Sequence, residues 1–412
     1  MAEQNKTPEK QNDELKKIAQ QLVDSDKKVQ LIYAFNGIGK TRLSRAVKDL
    51  VAPKVEEDGE PSRRKILYYS AFTEDLFIWD NDTEHDENRK MIIQPNTFTD
   101  WVLRDRGQDQ NIITNFQRYT SRSITPSFPP KAIVVERDGK RVNTHTFPEI
   151  RFSYSGGHEL ENNIKISKGE ESNLIWSVFY TLLEEVVGIL QEPDSKKRDE
   201  DEYDDLKYVF IDDPVSSLDD SHLIELAVDL AGLIKSTETD LKFVITTHNP
   251  LFYNVLYNEF SNPFDKKTDG NYERIYRPKE AKKYCLSKKA DGTFSLDEQG
   301  NDSPFSYHLL LLTELKKAVD ADSVQKYHFN YLRNILEKTA TFLGYKKWRD
   351  LLPKIGGNPD PFAARIVNLS SHSAHSGEEV AELEQNDKEK LGELVSFLMK
   401  EYGFSMQEEQ NG

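Results

Sequence analysis

The spacing of apolar and polar positions divides the chain into strand-like runs that alternate with amphipathic helices. Residues 29–35 form an apolar run that ends in a glycine turn at 36–39. Leu43, Ala46 and Val47 then recur at helical spacing. Residues 65–72, 208–211 and 241–248 repeat the strand theme. A long helix is expected from near Glu170, with Leu174, Ile175, Val178, Phe179, Leu182 and Leu183 along one face, and residues 216–236 pattern as another helix. Strands that are apolar throughout, rather than alternating, belong to a parallel sheet covered on both faces, so the fold class expected is α/β. The polar start, 1–27, reads as a loosely held arm with a short helix around 14–22, and 73–148 reads as an insertion. From about 271 two more strand-like stretches follow, with a turn at 290–292, and from 305 onward the pattern is helical.

Composition narrows the class. Hydrophobic residues make up 37% and charged residues 31% of 412, and no apolar run approaches the length of a membrane span. The amino terminus lacks an apolar signal core, and the single cysteine, Cys285, has no intrachain disulfide partner. A cytoplasmic protein with no membrane partner is expected. A net charge of −16 argues against a protein that coats nucleic acid over its whole surface. Residues 271–360 nevertheless carry 16 Lys and Arg against 12 Asp and Glu, a local balance of +4 that suits a polyanion or an ordinary solvated face.

Three groups of residues add chemistry. AFNGIGKT, residues 34–41, joins a strand to a helix through glycines, the geometry in which backbone N–H groups wrap a phosphate chain. Asn36, Gly37, Gly39, Lys40 and Thr41 are its candidate nucleotide contacts. Lys40 is expected to reach the β and γ phosphates, Thr41 is expected on Mg2+, and Ala34 stands where the full pattern has its first glycine. Asp212 and Asp213 close the strand at 208–211, one placed to hold the metal and the other to polarise water. His248, at the end of the next strand, is able to touch a γ-phosphate or its attacking water. Ser167, Gly169 and Glu170 offer free backbone donors for a second phosphate contact; Ser167 and Glu170 equally spell a capping box.

NGIGKT, SKGEE, FIDDPVSSLD and VITTH, in that order, resemble the motifs of ABC-type ATPase heads. That resemblance implies ATP or GTP with Mg2+ as cofactors, Thr41 and Asp212 as metal ligands, Asp213 and His248 in hydrolysis, and Asp219 among the nucleotide contacts. It also implies a homo-oligomer built from head-to-head dimers, in which Ser167 and Gly169 of one copy cover the nucleotide of the other. The residue after the metal aspartate is usually glutamate in such heads; Asp213, with its shorter arm, implies slow hydrolysis.

In the carboxyl-terminal third, Arg333 and Glu337 lie four apart on one helix face, which by spacing alone describes an intrahelical ion pair. Together with ILYYSAFTEDLF, ISKGEES, RNILEKTATFLGY and SSHS, the motifs resemble the bacterial anticodon nucleases of the PrrC type over nearly the whole chain. The resemblance implies Arg333, Glu337 and His372 as a ribonuclease site that needs no metal, with His375 as a spare, and a tRNA anticodon stem-loop, of lysine tRNA at the wobble position, as substrate. It further implies anti-phage defence and a type I restriction–modification complex as partner. Tyr327, Phe329, Tyr331, Trp348, Lys346 and Lys347 are candidates for stacking and phosphate contact. The expected organisation is an ATPase domain over 1–265, with the insertion at about 73–148, and a nuclease domain over 266–412. The competing reading is a DNA-binding or repair-type ABC ATPase whose last third only binds a partner.

Overall fold

The computed structural model describes residues 6–53, 65–70, 75–82, 87–137, 140–156, 159–214, 218–268, 270–289, 292–300, 307–355, 357–361, 363 and 383–404. The chain forms two compact units, Met1–Pro304 and Phe305–Gly412.

The first unit opens with helix α1 (Lys6–Asp24), then strand β1 (Val29–Tyr33), helix α2 (Lys40–Val51) and β2 (Ile66–Tyr69). The expected loose arm is instead a packed helix: Leu15, Ile18, Ala19 and Leu22 recur at helical spacing and are buried against Ile32, Leu43 and Val47. The insertion supplies β3 (Phe77–Asp80), β4 (Lys90–Ile93), α3 (Thr97–Asp100) running into a π turn at Trp101–Asp105, α4 (Asp109–Tyr119), β5 (Ile124–Ser127), β6 (Lys131–Arg137) and β7 (Lys140–Thr146). It continues through β8 (Glu149–Gly156) and β9 (Glu159–Asn162), because β8 lies between β4 and β5 in one antiparallel sheet and β9 pairs with β8. The inserted layer therefore runs past residue 148, the end expected for it.

Helix α5 (Lys168–Leu190) has 23 residues and is long and apolar enough to cross a membrane by length and composition. The expectation that no run approaches that length is thus corrected. Its most apolar stretch is 78% buried inside the head, because Leu174, Ile175, Val178, Phe179, Leu182 and Leu183 all pack inward.

After it come β10 (Tyr208–Asp212), α6 (Asp220–Ser236), β11 (Lys242–Thr247), α7 (Pro250–Ser261), the hairpin β12 (Phe264–Thr268) and β13 (Asn271–Tyr276), then β14 (Ala281–Lys288) and β15 (Phe294–Gln299). The main sheet has the order β15-β14-β1-β11-β10-β2. Every pair is parallel except β14 with β15. β1 and β10 are buried at each residue, as strands covered on both faces must be.

Sequence places the domain boundary near 265, whereas the compact units divide after Pro304. The cause is β14. Residues 281–286 are buried except Lys282, and the strand runs parallel to β1 in register from Val29↔Ala281 to Tyr33↔Cys285. It completes the sheet on the flank of β1 away from β11.

The second unit contains α8 (Tyr307–Asp320), α9 (Lys326–Leu343), a 3-10 turn at Trp348–Leu351, a short hairpin of β16 (Lys354–Ile355) and β17 (Asn358–Pro359), and α10 (Gln385–Glu401). Its core joins Leu311, Leu315, Leu332, Leu336, Leu394 and Leu398. Gly344 ends α9 in the left-handed conformation at φ 75°, a cap that suits a residue without Cβ.

Candidate functional site

In the first unit the carboxyl ends of β1, β10 and β11 lie side by side, and each delivers a residue at its last position or just beyond. Gly37 and Gly39 have φ of 80° and 110°, which lets the loop turn tightly into α2 at Lys40. Lys40 is buried, and its Nζ donates to Ala34 O at 3.2 Å, Phe35 O at 3.5 Å and Asn36 Oδ1 at 3.2 Å. The ammonium is thereby held over the loop it would share with a phosphate chain, and it lies 3.5 Å from Asp213 Oδ2.

Parallel register sets Asp212 opposite Thr246. Thr246 Oγ1 donates to Asp212 Oδ1 at 2.5 Å, and Thr41 Oγ1 donates to the other oxygen, Oδ2, at 3.2 Å. Burial pushes the Asp212 carboxyl above the usual range, with Thr246 working against it. A nearby cation relieves that cost. Two oxygens on one octahedral magnesium lie about 3.0 Å apart, so the Thr41 hydroxyl and the Asp212 carboxylate have the right donor type and spacing to share one. A bound Mg2+ would neutralise phosphate charge there.

Asp213 sits on left-handed backbone at φ 55°, which turns its side chain toward β11. Its Oδ2 meets His248 Nδ1 at 2.5 Å, while Oδ1 accepts from Thr247 Oγ1 and from the His248 N–H, each at 3.3 Å. Burial alone would raise its pKa. The His248 hydrogen bond and the Lys40 charge outweigh that and hold the carboxyl below the usual range. The group is thus a carboxylate at neutral pH, tied to an imidazole whose orientation it fixes. Thr246 and Thr247 were not singled out in the sequence, since threonine is ordinary in strands; the pairing of Asp212 with Thr246 across the sheet is the signal that finds them.

Ser167, Gly169 and Glu170 stand at the start of α5. Ser167 Oγ accepts the Glu170 N–H at 3.3 Å, and Glu170 Oε2 accepts the Ser167 N–H at 2.6 Å, so the capping box is formed. The insertion grips the same turn, because Trp79 Nε1 on β3 donates to Glu171 Oε2 at 2.9 Å. Asp219 caps α6: it accepts from the His222 N–H at 3.0 Å and from Ser221 Oγ at 2.8 Å, and these bonds hold its carboxyl down to about 2.

In the second unit Arg333 Nε donates to Glu337 Oε1 at 2.9 Å, so the ion pair read from spacing exists. It stands at a pocket of about 490 Å³ lined by Glu337, Thr341, Tyr345, Lys346, Lys347, Trp348 and Arg349 among others. The Arg333 guanidinium lies 5.9 Å from the Trp348 ring centre, and that of Arg349 lies 5.4 Å from the same ring. Cations therefore flank an indole beside a carboxylate. Of the stacking candidates, Phe329 is fully buried and belongs to the core, Tyr331 is half-buried, and Tyr327 is 52% exposed. His372 and His375 lie outside the described residues, as do 215–217 and 301–306.

The AAA domain family model matches residues 155–400, more than half of the chain. An Escherichia coli protein named anticodon nuclease is 48% identical over 429 aligned positions, which cover 100% of this chain and 98% of that one. Among solved structures, an Smc head domain with a coiled coil and joint from Pyrococcus yayanosii aligns with 52% of this chain and 29% of its own, at 12% identity and a TM-score of 0.27. An Smc head bound to the C-winged helix domain of ScpA aligns with 68% of this chain and 91% of its own, at 12% identity and a TM-score of 0.31.

Proposed function

Because the chain belongs to the anticodon nucleases and carries an AAA-family ATPase domain, we propose that it cuts the anticodon loop of a tRNA, that of lysine at the wobble position, under the control of nucleotide at the head. The observation that carries this reading is the Arg333–Glu337 pair, whose carboxylate lines a pocket rich in cations and aromatic rings. Unstacked bases of a loop suit such a pocket: the rings stack on bases, and Lys346, Lys347 and Arg349 meet phosphates.

Cleavage proceeds through the RNA's own 2′-hydroxyl, with no metal at this site. Glu337 takes the 2′ proton, the 2′ oxygen bonds to the adjacent phosphorus, and the bond to the 5′ oxygen breaks as His372 gives that oxygen a proton. Arg333 holds the non-bridging oxygens with two parallel N–H donors. Products are a 2′,3′-cyclic phosphate and a 5′-hydroxyl.

At the head, Lys40, Thr41 and Asp212 hold ATP or GTP with Mg2+, and Asp213 with His248 orients the water. Ser167 and Gly169 of a second copy cover the nucleotide, making a head-to-head dimer. The physiological role is anti-phage defence as a toxin silenced by a type I restriction–modification complex.

Incubating the purified protein with total tRNA, with and without nucleotide, tests the nuclease reading. Loss of one tRNA species with a cyclic 2′,3′ end, abolished in Glu337→Ala, is expected. Intact tRNA from both proteins under every nucleotide condition, with DNA stimulating ATP turnover, would favour the DNA-binding ATPase instead.

A further inference from the structure

The sheet order places the metal and water machinery on one flank of the phosphate loop and the β14–β15 hairpin on the other. With the phosphate loop read as a nucleotide site, the terminal phosphate would lie by Asp212, Asp213 and His248, and the nucleoside end would point to the hairpin side. Three groups from separate elements meet there. The ring of Phe294, the first residue of β15, comes so close to the loop that a Cβ on Gly39 would lie 3.4 Å from it, with Leu15 of α1 at 3.9 Å. The guanidinium of Arg42, in the first turn of α2, lies 5.6 Å from the centre of that ring, and Lys288 Nζ lies 6.0 Å from it. The backbone that carries the ring is anchored to α1, since the Phe294 N–H donates to Glu14 Oε2 at 2.9 Å. Phe294 is 8% exposed, while Arg42 is exposed.

We propose that Arg42, held beside the Phe294 ring, is the platform on which the base of the bound nucleotide stacks. A guanidinium is planar and stacks on π systems, and one drawn to an aromatic ring beside the phosphate loop is within reach of the base of a nucleotide held there. Phe294 does not touch the base; it positions Arg42, and α1 positions Phe294. The assignment rests on the phosphate loop binding a nucleoside triphosphate, as read above. It adds the part of the site that distinguishes a nucleotide from bare polyphosphate.

The test compares binding of Mg-ATP with binding of inorganic tripolyphosphate to the full chain by titration calorimetry. In Arg42→Ala and Arg42→Lys the dissociation constant for ATP is expected to rise about tenfold, with tripolyphosphate unchanged. Arg42→Lys is the decisive variant: it keeps the charge, loses the plane, and lies on an exposed face where folding is not at stake. Phe294→Ala is expected to weaken ATP in the same selective way. Wild-type ATP affinity in both Arg42 variants overturns the proposal, and so does an equal loss of ATP and tripolyphosphate, which would make Arg42 a phosphate contact. A wild-type protein that binds tripolyphosphate as tightly as ATP overturns the platform alone; one that binds neither removes the phosphate-loop reading with it.

Discussion

At the scale of single residues, two carboxylates in successive positions receive opposite environments. Asp212 is raised by burial and shares its oxygens between two threonine hydroxyls, whereas Asp213 is lowered and bound to an imidazole. Such a split suits the roles proposed for them, one carboxylate beside a metal and the other beside a water. Asp213→Asn is expected to keep nucleotide binding while lowering turnover by about 10²–10⁴-fold, measured as phosphate release. Glu337→Gln is expected to cost tRNA cleavage a similar factor, read by gel, with phosphate release as the control from a separate set of side chains. The motif residues of the head were legible because strand ends and glycine turns fix where side chains go. By spacing alone Arg333 and Glu337 were legible only as an ion pair, and it was the resemblance to a family that made them a candidate ribonuclease site. What the structure adds is the placement of Trp348 and its cations beside them, through a turn that periodicity does not describe.

At the scale of elements, helix ends carry more information than helix faces. Ser167 caps α5 reciprocally with Glu170, so Ser167→Ala is expected to lower the stability of the full chain to denaturant by about 1 kcal/mol. The start of α9 is capped by a histidine: His328 Nδ1 accepts the Gln325 N–H at 2.8 Å, and burial pushes the imidazole down to about 4. Protonation removes that acceptor. Since the folded value lies below the unfolded 6.5, the contribution is whole above pH 6.5 and is lost as pH falls from 6.5 toward 4. Unfolding by denaturant across that window should show a steeper acid loss in the wild type than in His328→Gln, where no titrating group remains. The edge strand β15 was legible as a strand but not as part of the head. The change of pattern from about 271 placed it in the carboxyl-terminal unit, whereas the burial and parallel register of β14, which it pairs with, decide its membership.

At the scale of the molecule, the head closes only at Pro304, because β14 covers the flank of β1, the strand that carries the phosphate loop. A fragment of residues 1–304 is expected to be soluble and to bind Mg-ATP, whereas 1–265 leaves β1 as a bare edge and should aggregate on expression, as light scattering would report. If the nucleotide joins two heads, Mg-ATP added to Asp213→Asn, which traps it uncleaved, should double the mass seen by light scattering; an unchanged mass would count against head-to-head pairing.

The two ends of β15 serve different neighbours. Phe294 rests on the turn at Gly39, and five residues on, about 17 Å along the strand, Gln299 pairs with Lys283 of β14. A stretch of sheet backbone does not lengthen when pulled. Whatever displaces the glycine turn when fuel arrives or leaves is therefore felt along the whole of β15 and, through its ladder with β14, by the strand that flanks the phosphate loop.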